Sequence, residues 1–232
     1  MTKEVLTVLI VLTSHDQLGD SGEKTGFWLE EFTTPYYTFL DAGISITLAS
    51  PMGGLPPIDP RSLASNSQTE STKRFLADDK ARDQLANTNK LSAVSADNFD
   101  AIFYPGGHGP LWDLVTDKNS IDLIESFWSQ GKPVSAVCHA PAVLLHARNQ
   151  DGQLIIKDKN VTGFTNSEED AVGLTDSVPL LLETELSHSG ASFSSTNDFE
   201  AHIVTDGNLI TGQNPASSAG VANALIELLK SR

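Results

Sequence analysis

The sequence predicts an α/β fold in which a mostly parallel sheet is covered by helices. Two observations carry this expectation. Strand-like and helix-like runs alternate along the 232 residues, and the first run, VLTVLIVL (5–12), is apolar without alternation. A strand with one solvated face alternates polar and apolar residues, whereas a strand covered on both faces does not. Regular strand–helix alternation implies right-handed crossovers between parallel neighbours.

Each element follows from its own pattern. The opening MTKEVLTVLIVLTSHD places Glu4 in what would be a basic leader and offers no small-residue cleavage site, so it reads as a buried first strand rather than a signal peptide. In TGFWLEEFTTPYYTFLDAG (25–43), Trp28, Phe32, Tyr36 and Phe39 fall near one helix face, Pro35 predicts a kink and Gly43 a stop. ISITLAS (44–50), FDAIFYPGG (99–107) and KPVSAVC (132–138) are the next strands, with a helix over 120–131 between the last two. A further helix is expected from 139, and another over 215–229. Two stretches break the rhythm: the Pro-, Gly- and Ser-rich 51–72, and 149–170, which reads as a short hairpin leading to an acidic SEED. No tract of linker composition divides the chain. The expectation is one domain, 1–232, with excursions near 51–72 and 149–190.

Composition excludes several classes. Fifteen Lys and Arg against thirty Asp and Glu leave a formal charge of −15, which repels nucleic acid and anionic membrane alike. No run approaches the roughly 20 apolar residues of a membrane span. A single cysteine rules out an intrachain disulfide framework and fits a reducing, cytoplasmic setting.

That cysteine, Cys138, sits in VSAVCHAPAVLL, where PVSAV ends a strand and HAPAVLLHA begins a helix. A tight strand–turn–helix requires small residues two before and two after its centre, and Ala136 and Ala140 meet the requirement. Pro141 falls in the first helical turn, where its missing N–H costs nothing. Free amides at such a helix start favour an anion. A thiol of ordinary pKa about 8.5 can fall to roughly 3.5–7.5 in these surroundings, so Cys138 is expected to be a thiolate at neutral pH. Adjacency alone does not bring His139 to the sulfur.

YPGGHGP (104–110) follows the strand DAIF, at the sheet edge where ligands bind in parallel α/β folds. Gly106 and Gly107 let backbone amides approach a ligand and are candidates to hold an oxyanion. The six-residue glycine phosphate fingerprint is absent, and His108 reads as easily as a solvent-facing loop residue. Glu30 and Glu31 lie on the first helix, Glu31 flanking the apolar stripe; a half-buried carboxyl would stay protonated and donate to a thiolate. Glu168, Glu169 and Asp170 are alternative orienting partners for His139. His15–Asp16, His188 and His202 have no zinc-type spacing, so no metal is expected.

Five ordered motifs, KTG-x4-E-x3-P (24–35), FYPGGHGPLWDL (103–114), VCHAPA (137–142), VTGFTNSEE (161–169) and TGQNPASS (211–218), resemble the ThiJ/PfpI superfamily, in its branch of glutathione-independent glyoxalases (glyoxalase III) and heat-shock chaperone relatives. The resemblance implies a flavodoxin-like, class I glutamine-amidotransferase-like three-layer sandwich, a homodimer, no cofactor, and a small 2-oxoaldehyde substrate such as methylglyoxal, converted to a 2-hydroxy acid. It implies Cys138 as nucleophile, His139 as proton carrier, Glu31 as the buried acid against sulfur, and Glu169 as third triad member. Gly107 and the amide of His139 would hold the oxyanion. Ala140 replaces the usual glycine after Cys-His, and the extra acids of NSEED leave Glu168 a competitor of Glu169. The resemblance also admits an amidase, peptidase or protein deglycase, and a non-catalytic chaperone or redox sensor.

Overall fold

The computed structural model describes residues 5–232. Its strands are β1 (Thr7–Val11), β2 (Ser45–Ser50), β3 (Asn89–Lys90), β4 (Ala101–Tyr104), β5 (Val134–Val137), β6 (Asn160–Val161), β7 (Ser192–Phe193), β8 (Ile203–Asp206) and β9 (Leu209–Gly212). Seven form one sheet in the order β3-β2-β1-β4-β5-β9-β8, parallel except for the antiparallel edge pair β8–β9. The α-helices are α1 (Leu29–Asp41), α2 (Glu70–Ala77), α3 (Asp79–Ala86), α4 (Lys118–Ser129), α5 (Asn166–Ala171), α6 (Leu182–His188) and α7 (Ser218–Lys230). Sheet and helices make the three-layer α/β architecture that the strand–helix alternation predicted.

The central strands are the apolar ones. Val8 to Val11 of β1 and all of β4, β5 and β9 are buried, as expected for strands covered on both faces. α1 turns Phe32, Tyr36 and Phe39 into this core and runs through Pro35. Gly43, at φ +78°, ends it: the amides of Gly43 and Ile44 donate to the carbonyls of Leu40 and Phe39, both at 3.0 Å, in a Schellman arrangement. α4 starts at Asp117, whose carboxyl accepts from the Ser120 amide at 2.9 Å.

Three local expectations are corrected. The segment 149–170 is not a hairpin: Asn149–Gln153 is a turn closed by a bridge between Arg148 and Leu154, and β6 pairs in parallel with the distant β7. The helix expected from 139 is a five-residue 3₁₀ turn, Ala140–Leu144. In α7, the first turn, Pro215–Ser217, is likewise 3₁₀. The 51–72 excursion winds through two 3₁₀ turns, Pro60–Leu63 and Ser65–Ser67, and carries Asp59 and Arg61 back to the sheet edge.

Strand order reverses direction on either side of β1 and β4, so the carboxyl ends of β1, β4 and β5 open onto one crevice. The YPGGHGP loop leaves β4 there, and Cys138 leaves β5.

Candidate active site

Cys138 directly follows β5 in a left-handed conformation, φ +61°, which side-chain-bearing residues rarely adopt. Its backbone is fixed from both sides. The Cys138 amide donates to the Gly212 carbonyl of β9 and its carbonyl accepts from the Phe164 amide, both at 2.9 Å. Ala136 and Ala140 are fully buried, so the small-residue requirement of the turn is a packing requirement. The turn projects the sulfur toward the YPGGHGP loop, where a Cβ on Gly106 would sit 2.8 Å from the Cys138 Cβ.

The fold brings His139 to the sulfur despite the divergence of adjacent side chains: Nδ1 lies 3.3 Å from Sγ. Nε2 of the same ring lies 2.6 Å from Oε2 of Glu169, at the first turn of α5. The other oxygen of Glu169 is 2.8 Å from Nε2 of His108, and Nδ1 of His108 accepts from Nη2 of Arg61 at 3.2 Å. Arg61 is anchored in turn by the fully buried Asp59. The result is one continuous chain, Asp59–Arg61–His108–Glu169–His139–Cys138.

Electrostatics assign the protons. Burial acts to raise Glu169, but the His139 charge and hydrogen bonds from both imidazoles outweigh it and hold the carboxyl well below the usual range. An ionised Glu169 accepts, so Nε2 of His139 carries a hydrogen and Nδ1 presents its lone pair to sulfur. Burial, with His139 alongside, pushes His108 down to about 4, leaving it neutral near pH 7 and able to donate to Glu169 while accepting from Arg61. Asp59 is also pushed up by burial, yet Arg61 holds it below its ordinary value.

Glu31 lies on the other side of the sulfur. It is fully buried, and burial drives its carboxyl well above the ordinary range, against the pull of hydrogen bonds to Cys138 and the Gly106 amide. Oε2 accepts from that amide at 2.8 Å, while Oε1 has no hydrogen-bond partner among the described residues. A protonated Glu31 therefore has an O–H to direct at sulfur. Burial, followed by the adjoining Glu31 carboxyl, pushes the Cys138 thiol up, opposite to the depressed value expected from a helix start. The physical reason is local: 4% exposure removes water from the thiolate, and only a short 3₁₀ turn follows. Gly106 is also corrected as an oxyanion donor, because its amide is spent on Glu31. The Gly107 amide faces the thiol and works to lower its pKa, and the His139 amide has no acceptor among the described residues.

These groups open onto a cavity of about 190 Å³ whose exposed lining is mostly apolar, with Trp28, Phe164, Val172, Phe199 and Pro215 around the thiol and Arg61 at one side. Arg61 and Asp59 carry no signal in the sequence, and His108 stood there undecided between a functional and a solvent-facing residue. His108 is 5% exposed, not a solvent-facing residue, and its partner Glu169 is 61 positions away. The pattern GGHG was the available signal. No metal was expected from ligand spacing, yet His108, His139 and Glu169 gather ligand-type atoms within 4.8 Å of one another. Their close mutual hydrogen bonds already engage the same atoms.

The pattern of the DJ-1/PfpI family matches residues 24–228. The Saccharomyces cerevisiae protein named glutathione-independent glyoxalase HSP31 is 31% identical over 233 residues, spanning 96% of this chain and 98% of its own. The crystal structure of glyoxalase III from Candida albicans is similar at TM-score 0.90 and 29% identity, covering 98% of each chain. The X-ray structure of the 24 kDa rapid encystment protein of Francisella tularensis is similar at TM-score 0.93 and 41% identity, covering 97% of this chain and 99% of that one.

Proposed function

The chain belongs to the DJ-1/PfpI family, and on that premise we propose that it is a glutathione-independent glyoxalase, converting small 2-oxoaldehydes such as methylglyoxal to 2-hydroxy acids through Cys138. The observation that carries this reading is the imidazole of His139, with Nδ1 3.3 Å from Sγ and Nε2 tied to Glu169. Such a ring accepts a proton from sulfur and returns it elsewhere without reorienting.

The Cys138 S–H proton passes to Nδ1 of His139 as sulfur bonds to the aldehyde carbon. The new alkoxide is met by the amides of Gly107 and His139 and takes a proton to give a hemithioacetal. His139 removes the C1 hydrogen, forming an enediolate. Return of that proton to C2, with the C1 hydroxyl proton passing to the C2 oxygen, leaves a thioester. Water cleaves the thioester to the 2-hydroxy acid and regenerates the thiol. C1 is oxidised and C2 reduced by two electrons, so no external redox partner is required. Glu31 keeps its proton by burial and stabilises charge on sulfur by donation.

The size of the cavity, about 190 Å³, favours a small carbonyl compound over an amide within a folded protein. The experiment is formation of lactate from methylglyoxal by pure, reduced protein without glutathione. Product is expected from the wild type and not from Cys138→Ala; absence of product from active-thiol protein overturns the reading.

A further inference from the structure

Cys138, Asp158 and Phe199 are the non-glycine residues with positive φ among the described residues, and two of the three line the same cavity. The strain at Cys138 is explained by the elbow that projects the thiol. Phe199, φ +60°, has no such explanation: for a bulky residue this backbone is an outlier, and at 49% exposure the ring has no core packing to hold it there.

What holds it is Glu168. The carboxyl of this fully buried residue accepts four hydrogen bonds. Oε2 takes the Thr165 amide at 3.0 Å and the Thr165 hydroxyl at 3.1 Å. Oε1 takes the Phe199 amide and the Asn214 side-chain amide, both at 2.8 Å. The loop is also fastened just before Phe199, by Ser167 to Asp198 at 2.6 Å and by the Thr196 amide to Gln213 at 2.9 Å. Backbone strain persists only when the surroundings over-determine it, and six hydrogen bonds, three of them made by the loop itself, over-determine this one. The Phe199 ring stands 6.4 Å from Phe164, which itself packs 4.3 Å from the His139 ring. With Val172 beside it at 42% exposure, the ring forms a fixed apolar wall at the mouth of the thiol cavity.

We propose that Phe199 is a specificity-determining residue, held over the cavity by Glu168 so that its face selects 2-oxoaldehydes bearing an apolar substituent as large as a phenyl ring. The cavity admits one: about 190 Å³ exceeds the roughly 150 Å³ that holds a benzene molecule in an apolar protein site. Aromatic pairing would favour a flat ring offset against Phe199 or Phe164. This selectivity rests on the glyoxalase reading for its substrate class, but the wall itself does not.

The test therefore has two arms. Alkylation of Cys138 by phenacyl bromide and by bromoacetone compares a phenyl with a methyl ketone without requiring turnover. Phenacyl bromide is expected to react preferentially with the wild type, and the preference is expected to fall about tenfold in Phe199→Ala and Phe199→Gly, with Phe199→Tyr retaining it. Phe199→Gly accommodates the left-handed backbone, so it should melt above Phe199→Ala while losing the same selectivity; a merely structural role would make selectivity follow stability. An unchanged preference in both variants, or equal losses for both reagents, overturns the proposal. In the second arm, the ratio of kcat/KM for phenylglyoxal over methylglyoxal is expected to fall in parallel, chiefly through KM. Failure of all turnover with intact alkylation selectivity counts against the glyoxalase reading and for the wall.

Discussion

Glu168 and Glu169 are consecutive in α5, both buried, and their carboxyl groups face separate hydrogen-bond networks. Glu169 receives the two imidazoles, whereas Glu168 closes the capping box with Thr165 and fastens the loop bearing Phe199. Consecutive helix positions point about 100° apart, and here that rotation separates proton chemistry from wall construction.

Exchange of the two residues for glutamine is expected to separate the same roles. In Glu169→Gln, one oxygen cannot accept from both imidazoles, and the amide N–H₂ must face one ring. The His139 ring then favours the hydrogen on Nδ1, which blocks its access to the sulfur proton. A loss of about 10²–10⁴-fold in kcat is expected, together with some loss of stability from the imidazole left facing the amide N–H₂. In Glu168→Gln, the amide confronts donors on whichever side it turns. Stability should fall by about 1–3 kcal/mol in urea unfolding with most of kcat retained, and equal losses of kcat in the two variants would refute the division.

His108 predicts a pH dependence of stability. Its folded pKa of about 4 lies below its ordinary 6.5, so between those values the unfolded chain binds the proton and the folded chain does not. Stability from this residue is present above 6.5 and is lost as pH falls toward 4, by on the order of 3 kcal/mol. Urea midpoints taken from pH 7 to 4 should decline in the wild type and decline less in His108→Gln. The depressed Glu169 carboxyl acts in the same direction, but only below its ordinary 4.5.

The parts of this site that the sequence made legible are the local ones. The buried run of β1, the Schellman stop at Gly43 and the small residues around Cys138 each depend on neighbours within a few positions. Helical spacing separated Glu31 only weakly from Glu30, and it was the resemblance at KTG-x4-E-x3-P that singled Glu31 out. The roles of His108 and Arg61 were not legible, because their partners come from other loops: Arg61 meets His108 across 47 positions. The thiol was misjudged for a related reason. Its ionisation depends on how completely the Gly106 loop, Glu31 and Phe164 exclude water, and that enclosure is a property of packing. The competition between Glu168 and Glu169 is likewise decided by where Asn214 and Phe199 arrive.

Glu31 predicts the opposite slope. Its folded pKa lies well above its ordinary 4.5, so the folded chain retains a proton that the unfolded chain releases. Stability from Glu31 is complete below 4.5 and is lost as pH rises toward the folded value, at about 1.4 kcal/mol per pH unit while the difference lasts. Glu31→Gln keeps the shape and an N–H donor but cannot ionise, so its stability relative to wild type should improve as pH rises. Because sulfur and carboxyl are coupled, wild-type alkylation by iodoacetamide should climb over a range broader than one titration. In Glu31→Gln it should narrow to a single step, and identical profiles would exclude the coupling.

Gly106 and Gly107 offer the final contrast, since both exclude a side chain by backbone contact but only Gly107 has a left-handed backbone and only Gly106 faces Glu31. A Cβ on Gly107 would lie 2.5 Å from the Gly26 carbonyl oxygen and the Trp28 nitrogen, both backbone, at a φ of +88°. Gly107→Ala should therefore lose stability by at least about 1–3 kcal/mol and take the oxyanion amide with it. A Cβ on Gly106 meets Oε2 of Glu31 and the Val137 carbonyl oxygen, both at 2.5 Å, and the Cys138 Cβ at 2.8 Å, without any left-handed strain. Gly106→Ala should displace the carboxyl from the sulfur, so its alkylation profile should change together with its activity. Gly131, at φ +67° with nothing within 4 Å of an added Cβ, is the control: Gly131→Ala should cost about 1 kcal/mol and leave turnover intact. Equal effects of all three substitutions on activity would show that the loop glycines matter only for folding, and that the amide of Gly107 holds no oxyanion.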